Sequence, residues 1–292
     1  MFKGSVTALI TPFKNGKVDV ERLKDNVEFQ IKNKTAALLP CGTTGESPTL
    51  SNEEHKKVIQ VVVKAAKGRV PVMAGTGSNS TDEAVEMTRF AKKTGCDAAL
   101  MVSPYYNKPT QKGIYLHFKK VASTVDIPIM LYNIPGRTGI TIEAATMAKL
   151  KNECKNIVGV KEATGSLDMA SQVISACGKD FCVMSGDDNL TLPIMAIGGK
   201  GVISVISNLV PRQVAEMAAA FARKDLKKAQ ELHYYLFPLM KAAFIETNPI
   251  PIKTAMMLAG MDSGEMRLPM CSMEDGTLKK LTEVLRTYGL AR

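Results

Sequence analysis

Eight short apolar runs punctuate the chain, each hydrophobic almost throughout and not alternating. They begin at Val6 (VTALITP), Thr35 (TAALLPCG), Val70 (VPVMAGTG) and Asp97 (DAALMVSP), then at Ile127 (IPIMLYNIP), Asn156 (NIVGVKEA), Asp180 (DFCVMSGDD) and Lys200 (KGVISVISN). Strands covered on both faces, as in a parallel sheet, read this way. Helical spacing fills the intervals. Val20, Leu23, Val27 and Ile31 share one helical face behind a candidate N-cap at Asp19. Ser51 with Glu54, and Ser80 with Glu83, have capping-box spacing. Further helices are expected over Gly113–Thr124, Ile142–Lys151, Leu167–Cys177 and Asn189–Ile197, with a last barrel helix carrying Val214, Met217 and Phe221. Eight even strand–helix units predict an α/β fold, a (β/α)8 TIM barrel over residues 1–224; a doubly wound sheet fits that evenness less well. Past Pro211 the strand-like runs stop. Leu226–Ile245, Ile252–Leu258 and Thr277–Leu285 predict a small C-terminal helical region over residues 225–292.

Composition narrows the class. The 292 residues are 45% hydrophobic and 23% charged, enough apolar content for a substantial core. The net charge of +10 raises nucleic acid as a partner, but the Lys and Arg residues are scattered, without a basic block or interleaved aromatics, and Trp is absent. A basic surface that draws in small carboxylates fits better. The six cysteines form no C-x-x-C pair and have no His at ligand spacing, so neither zinc nor a disulfide framework is expected. Sparse thiols point to a reducing, cytoplasmic setting. No segment approaches the ~20 apolar residues of a membrane span, so no membrane partner is expected.

In a barrel of this kind the chemistry sits at the C-terminal ends of the strands. Those ends read CGTTGES (Cys41–Ser47), SPYYNKP (Ser103–Pro109), YNIPGRTG (Tyr132–Gly139), KEATG (Lys161–Gly165), SGDD (Ser185–Asp188) and ISN (Ile206–Asn208). Lys161 stands directly behind Ile157, Val158 and Val160. A lysine drawn into apolar surroundings is normally paired or functional, and an amine withdrawn from water gains nucleophilic character. The alternative is a strand-end lysine reaching out to solvent. Tyr132, on the neighbouring strand, reads equally as a proton shuttle or as a core tyrosine. Thr43 and Thr44 supply hydroxyls between Gly42 and Gly45, whose backbone would admit a carboxylate. Arg137 offers a planar fork for a carboxylate, and Gly186 leaves the seventh strand's backbone open. Asp187 and Asp188 read as a helix N-cap pair, since no third ligand follows at metal spacing. GTGSNS at Gly75 lacks the third glycine of a dinucleotide fingerprint.

Taken together, GTTGES at Gly42, SPYYNKP at Ser103, YNIPGRTG at Tyr132, GVKEATG at Gly159 and ETNPIPIK at Glu246 resemble the pyruvate-dependent class I aldolase and lyase barrels. That family includes dihydrodipicolinate synthase and N-acetylneuraminate lyase. The resemblance runs along essentially the whole chain. Thr43–Thr44, Tyr105–Tyr106 and Arg137 are similar to the synthase branch, whereas the sialic-acid lyases usually have serine at the first hydroxyl and no matching arginine. The resemblance implies that Lys161 forms an imine with pyruvate and that Tyr132 moves protons through Thr43 and through Tyr106 of a neighbouring subunit. It implies that Thr44, with backbone near Gly186 and Ile203, holds the pyruvate carboxylate, and that Arg137 grips L-aspartate 4-semialdehyde. It further implies no metal or organic cofactor, a homotetramer built as a dimer of dimers, and lysine as an inhibitor at Ser47, Pro48, Asn52, His55, Asn79, Glu83 and Tyr105. Of these, Pro48 and Asn52 depart from the most familiar lysine-sensitive pattern. An aldolase acting on a sugar acid or another 2-oxo acid, and a catalytically silent ligand-binding barrel, are the competing expectations.

Overall fold

The computed structural model describes residues 2–291; Met1 and Arg292, the outermost residues of the two expected regions, lie outside them. The eight apolar runs form β1 (Gly4–Ala8), β2 (Ala37–Leu39), β3 (Met73–Gly75), β4 (Ala98–Val102), β5 (Ile129–Asn133), β6 (Ile157–Glu162), β7 (Cys182–Ser185) and β8 (Gly201–Ser204). All pair in parallel in the order β2-β1-β8-β7-β6-β5-β4-β3. A parallel bridge between Leu38 and Val72 brings the two end strands together, so the sheet curls into a barrel.

Helices α1 (Val20–Lys32), α2 (Asn52–Ala66), α3 (Thr81–Thr94), α4 (Gln111–Thr124), α5 (Ala144–Glu153), α6 (Leu167–Cys177), α7 (Thr191–Ala196) and α8 (Pro211–Ala222) follow the strands in turn. Asp19 and Ser51 cap α1 and α2, the latter with a complete capping box. At Ser80 only half the box forms. Its hydroxyl accepts from the Glu83 amide, but the Glu83 carboxylate takes the Ser78 hydroxyl instead. The expected N-cap pair Asp187–Asp188 is also corrected. Asp188 is buried and accepts from Ser204 Oγ at 2.5 Å, Val205 N at 2.9 Å and Ile206 N at 3.3 Å, so it fastens the end of β7 to the turn after β8. Tertiary partners outcompeted the local helix end for that carboxylate.

Strand alternation divides the core into two layers. Leu131, Val160 and Val183 face the helices, while Met130, Tyr132, Met184 and Ile203 fill the barrel interior. α9 (Leu226–Ala242), α10 (Ile250–Leu258) and α11 (Asp275–Thr287) follow the barrel. Their Leu236, Leu239, Ile252, Met256 and Leu281 share a core with Val202, Val214 and Met217 of the last barrel unit. Between β1 and α1 a small hairpin pairs Phe13–Lys14 with Lys17–Val18. Its Asn15-Gly16 turn takes positive φ at both residues, as a type I′ hairpin turn requires.

Candidate active site

An irregularity in β6 decides where Lys161 points. Ile129 of β5 pairs with Ile157, but Met130 pairs with Gly159, so Val158 is an extra residue at a register shift. Side chains alternate with a period of two, and one inserted residue reverses the phase of everything after it. Ile157 faces the helix layer, and in an unbroken strand Lys161, four residues later, would face it too. The bulge turns Lys161 inward, in register with Tyr132 and Met184 on either side. Lys161 is 5% exposed and Tyr132 6%. The Lys161 ammonium lies 4.3 Å from the centroid of the Tyr132 ring. This is not a lysine reaching out to solvent.

Glu162, Asp187 and Asp188 stand at the same strand ends without pairing with the lysine. Glu162 points to the other side of β6, where Thr164 N donates to it at 2.8 Å and Asn133 Nδ2 at 3.1 Å. Burial raises the carboxyls of Glu162 and Asp188, with hydrogen bonds opposing. Burial likewise raises Asp187, and the positive charge of Lys161 opposes it. Among the described residues no carboxylate lies within ion-pairing distance of Lys161.

Thr43 and Thr44 occupy a 3-10 turn (Thr43–Gly45) beyond β2, between left-handed residues Cys41 and Glu46. Gly45 owes its identity to close packing, because a Cβ there would lie 3.0 Å from the Leu9 carbonyl oxygen. Its amide is used within the turn, donating to Gly42 O at 3.1 Å. Gly186 is similarly closed in, since a Cβ would come within 2.5 Å of the Ala163 side chain. Its amide donates to Glu162 O at 2.7 Å. Ile203 is fully buried in the barrel interior.

A cavity of about 360 Å³ opens beside Tyr132. It is lined by Thr43, Tyr132 and Arg137, and also by Ser47, Pro48, Asn52, His55, Glu83 and Tyr105. Two residue groups with separate expected roles therefore border one space. Lys161, Thr44, Gly186, Ile203 and Asn79 do not line it. Burial lowers the His55 imidazole below its usual range, so the ring is neutral near pH 7, and its Nε2–H donates to the Gly75 carbonyl at 2.8 Å. Burial and the Glu83 charge raise the Tyr105 phenol. Asn79 offers its carbonyl to the Asn107 side chain at 3.0 Å. Tyr106 stands apart from the site within one chain: it is 89% exposed, on a left-handed backbone.

The motif ETNPIPIK holds residues to which the sequence reading gave no role. Asn248 Nδ2 donates to Thr44 Oγ1 at 3.0 Å, and Arg137 Nη2 donates to the Asn248 carbonyl at 2.8 Å. Asn248 thus joins two candidate substrate-binding residues that come from different strands. The sequence signal available was the motif itself, with Glu246, Thr247 and Asn248 ahead of two prolines and Lys253 after them.

A (β/α)8 barrel whose mouth holds a buried lysine beside a buried tyrosine, with paired threonines and an arginine close by, defines a class of barrel suited to amine catalysis on small carboxylates. The chain belongs to the dihydrodipicolinate synthetase family, whose model matches residues 1–288. It is 57% identical over 292 residues to a 4-hydroxy-tetrahydrodipicolinate synthase of Endomicrobium trichonymphae, covering all of both chains. A crystal structure of dihydrodipicolinate synthase from Aquifex aeolicus superimposes with a TM-score of 0.98 at 56% identity, covering 99% of each chain. Another, from Cyanidioschyzon merolae with lysine bound, has a TM-score of 0.95 at 42% identity, again over 99% of each chain.

Proposed function

We propose that this chain works through Lys161 as an imine-forming nucleophile. The chain is a lyase that condenses pyruvate with L-aspartate 4-semialdehyde to 4-hydroxy-tetrahydrodipicolinate, a step of lysine and diaminopimelate biosynthesis. The observation that carries the residue assignment is the inward turn of Lys161 against Tyr132. The Lys161 amine adds to the pyruvate ketone, water leaves, and loss of a methyl proton gives the enamine. Tyr132 moves these protons, relayed by Thr43 and by Tyr106 of a second subunit. Thr44 and backbone near Gly186 and Ile203 hold the pyruvate carboxylate. Arg137 takes the carboxylate of the aldehyde substrate. The enamine carbon attacks the aldehyde, the substrate's own amino group closes the ring, and Lys161 is released.

Borohydride trapping with pyruvate tests this. A reduced adduct mapped to Lys161 is expected, and an adduct confined to surface lysines would overturn the assignment. In Arg137→Ala the adduct should persist while condensation is lost; an aldolase for sugar acids would not show that separation.

The exposed Tyr106 suits a homotetramer of two tight dimers in which it completes a neighbour's site, and a monomer in sedimentation would remove that role. Lysine as an inhibitor is supported by His55, Glu83 and Tyr105 bordering one cavity, with Glu83 able to balance an ammonium. Initial rates should fall in millimolar lysine; unchanged rates would end that reading. Among the described residues no helix is long and apolar enough to cross a membrane. Six unpaired cysteines suit a reducing cytoplasm.

A further inference from the structure

A second lysine is more deeply buried than Lys161. Lys253, on α10, is 0% exposed and donates to Glu46 Oε1 at 2.6 Å and to the Thr11 carbonyl at 3.0 Å. Its ammonium lies 4.3 Å from the Phe13 ring centroid, and the Arg267 guanidinium lies 4.4 Å from that same centroid. The other Glu46 oxygen accepts the Arg267 amide at 3.1 Å. Glu46 therefore has both oxygens occupied from the C-terminal helical region, although it belongs to the turn after β2. A buried ion pair is a poor device for stability, because apolar residues of similar volume often serve as well or better. Its use here requires another reason.

That reason lies in where Glu46 sits. It follows Thr43, Thr44 and Gly45 directly and holds a left-handed backbone, φ 51°, which a residue with a side chain adopts only when its surroundings enforce it. Thr11 fixes the same turn from β1's side, its hydroxyl donating to Gly45 O at 2.6 Å, while its carbonyl accepts from Lys253. Asn248, just ahead of α10, holds the Thr44 hydroxyl. The threonine turn is gripped at its hydroxyl and at its far end by one short stretch outside the barrel.

We propose that Lys253 and Glu46 are positioning residues for the reaction, a buried ionic latch through which α10 sets the place of the Thr43–Thr44 turn. This rests on the roles given above to Thr43 and Thr44. Neither latch residue touches substrate. Displacing the turn should weaken the hold on the pyruvate carboxylate and the proton relay together, while leaving the Lys161 amine and the Arg137 fork in place. A misplacement of about 1 Å at such a distance from the chemistry is enough to cost about a hundredfold in rate.

Steady-state kinetics on three variants of the full chain test the latch. Lys253→Met should raise the pyruvate KM and lower kcat by about tenfold or more each, with the KM for aspartate semialdehyde changed by less than about threefold. The borohydride adduct should still form on Lys161 at high pyruvate. The double variant Glu46→Gln/Lys253→Met cancels the stranded charge, so its melting temperature should return towards that of the parent while the kinetic defect stays. Glu46→Asp keeps both charges and shortens the reach by one methylene; it should show the same split at smaller amplitude, and it carries the test if the others do not fold. Parental kinetic constants in the double variant or in Glu46→Asp would overturn the latch and leave the pair a purely structural feature. Absence of a Lys161 adduct in the parent chain would instead refute the underlying reading. An adduct there with unaltered variants refutes the latch alone.

Discussion

Lys161 and Lys253 enter the sequence in the same manner, each set among aliphatic residues, and both end almost fully buried. Their surroundings differ in the acceptors they offer. Lys253 meets a carboxylate, a carbonyl and an aromatic face, so its charge is fully accounted for. Lys161 has the aromatic face of Tyr132 but no carboxylate in ion-pairing range among the described residues. A lysine with its partners in place is an anchor, whereas one lacking an anionic partner and packed on a tyrosine that lines a cavity is available for chemistry. Burial alone does not separate the two; the partner does.

The contrast can be broken most sharply at Lys161. Lys161→Ala should lower turnover by at least about a thousandfold. At a pH low enough to keep Asp187 protonated, its unfolding free energy in urea should be held or increased, because no ion pair is lost and an unpaired buried amine is removed. A large fall in stability would mean that this lysine, too, is an anchor.

Lys253→Met should act in the opposite sense on stability. It leaves Glu46 buried without its partner, a loss of about 3–5 kcal/mol in urea unfolding. The double variant with Glu46→Gln should recover most of that loss. If the single variant were as stable as the parent, water would have to reach Glu46, and the site could not be as dry as the 2% exposure of Glu46 indicates.

The smallest expected effect is on pH dependence. Burial raises the carboxyl of Asp187 against the opposing charge of Lys161, and that of Asp262 against Lys253. A carboxyl raised on folding contributes stability that is present below its unfolded value and lost as pH rises through the folded one. Removing the opposing lysine raises the folded value further. Lys161→Ala and Lys253→Met should therefore each lose more stability than the parent as pH rises above the usual aspartate range. Parallel urea midpoints across that rise would show that neither carboxyl depends on its lysine.

Much of this was legible in the residues. The eight apolar runs became the eight barrel strands because a strand buried on both faces leaves an unbroken hydrophobic record. Asp19 and Ser51 cap the helices that their spacing announced. Asn15-Gly16 carried a hairpin signal that the barrel pattern overshadowed. What could not be read is of another kind. Asp188 has the local look of a helix cap, yet it binds across to Ser204, Val205 and Ile206. Asn248 and Lys253 act on residues some two hundred positions away, so no window of sequence contains both partners.

The sequence by itself determined the class of fold and the strand ends at which chemistry could gather, because hydrophobic periodicity and turn residues are local properties. Only the tertiary structure decided which way Lys161 faces. One extra residue, Val158, reverses the alternation of β6, and that bulge exists only where β6 pairs with β5. Tertiary contacts alone also decided that one buried lysine has a carboxylate partner and the other does not. Ion pairing needs two groups within a few ångströms, and that distance is fixed by packing.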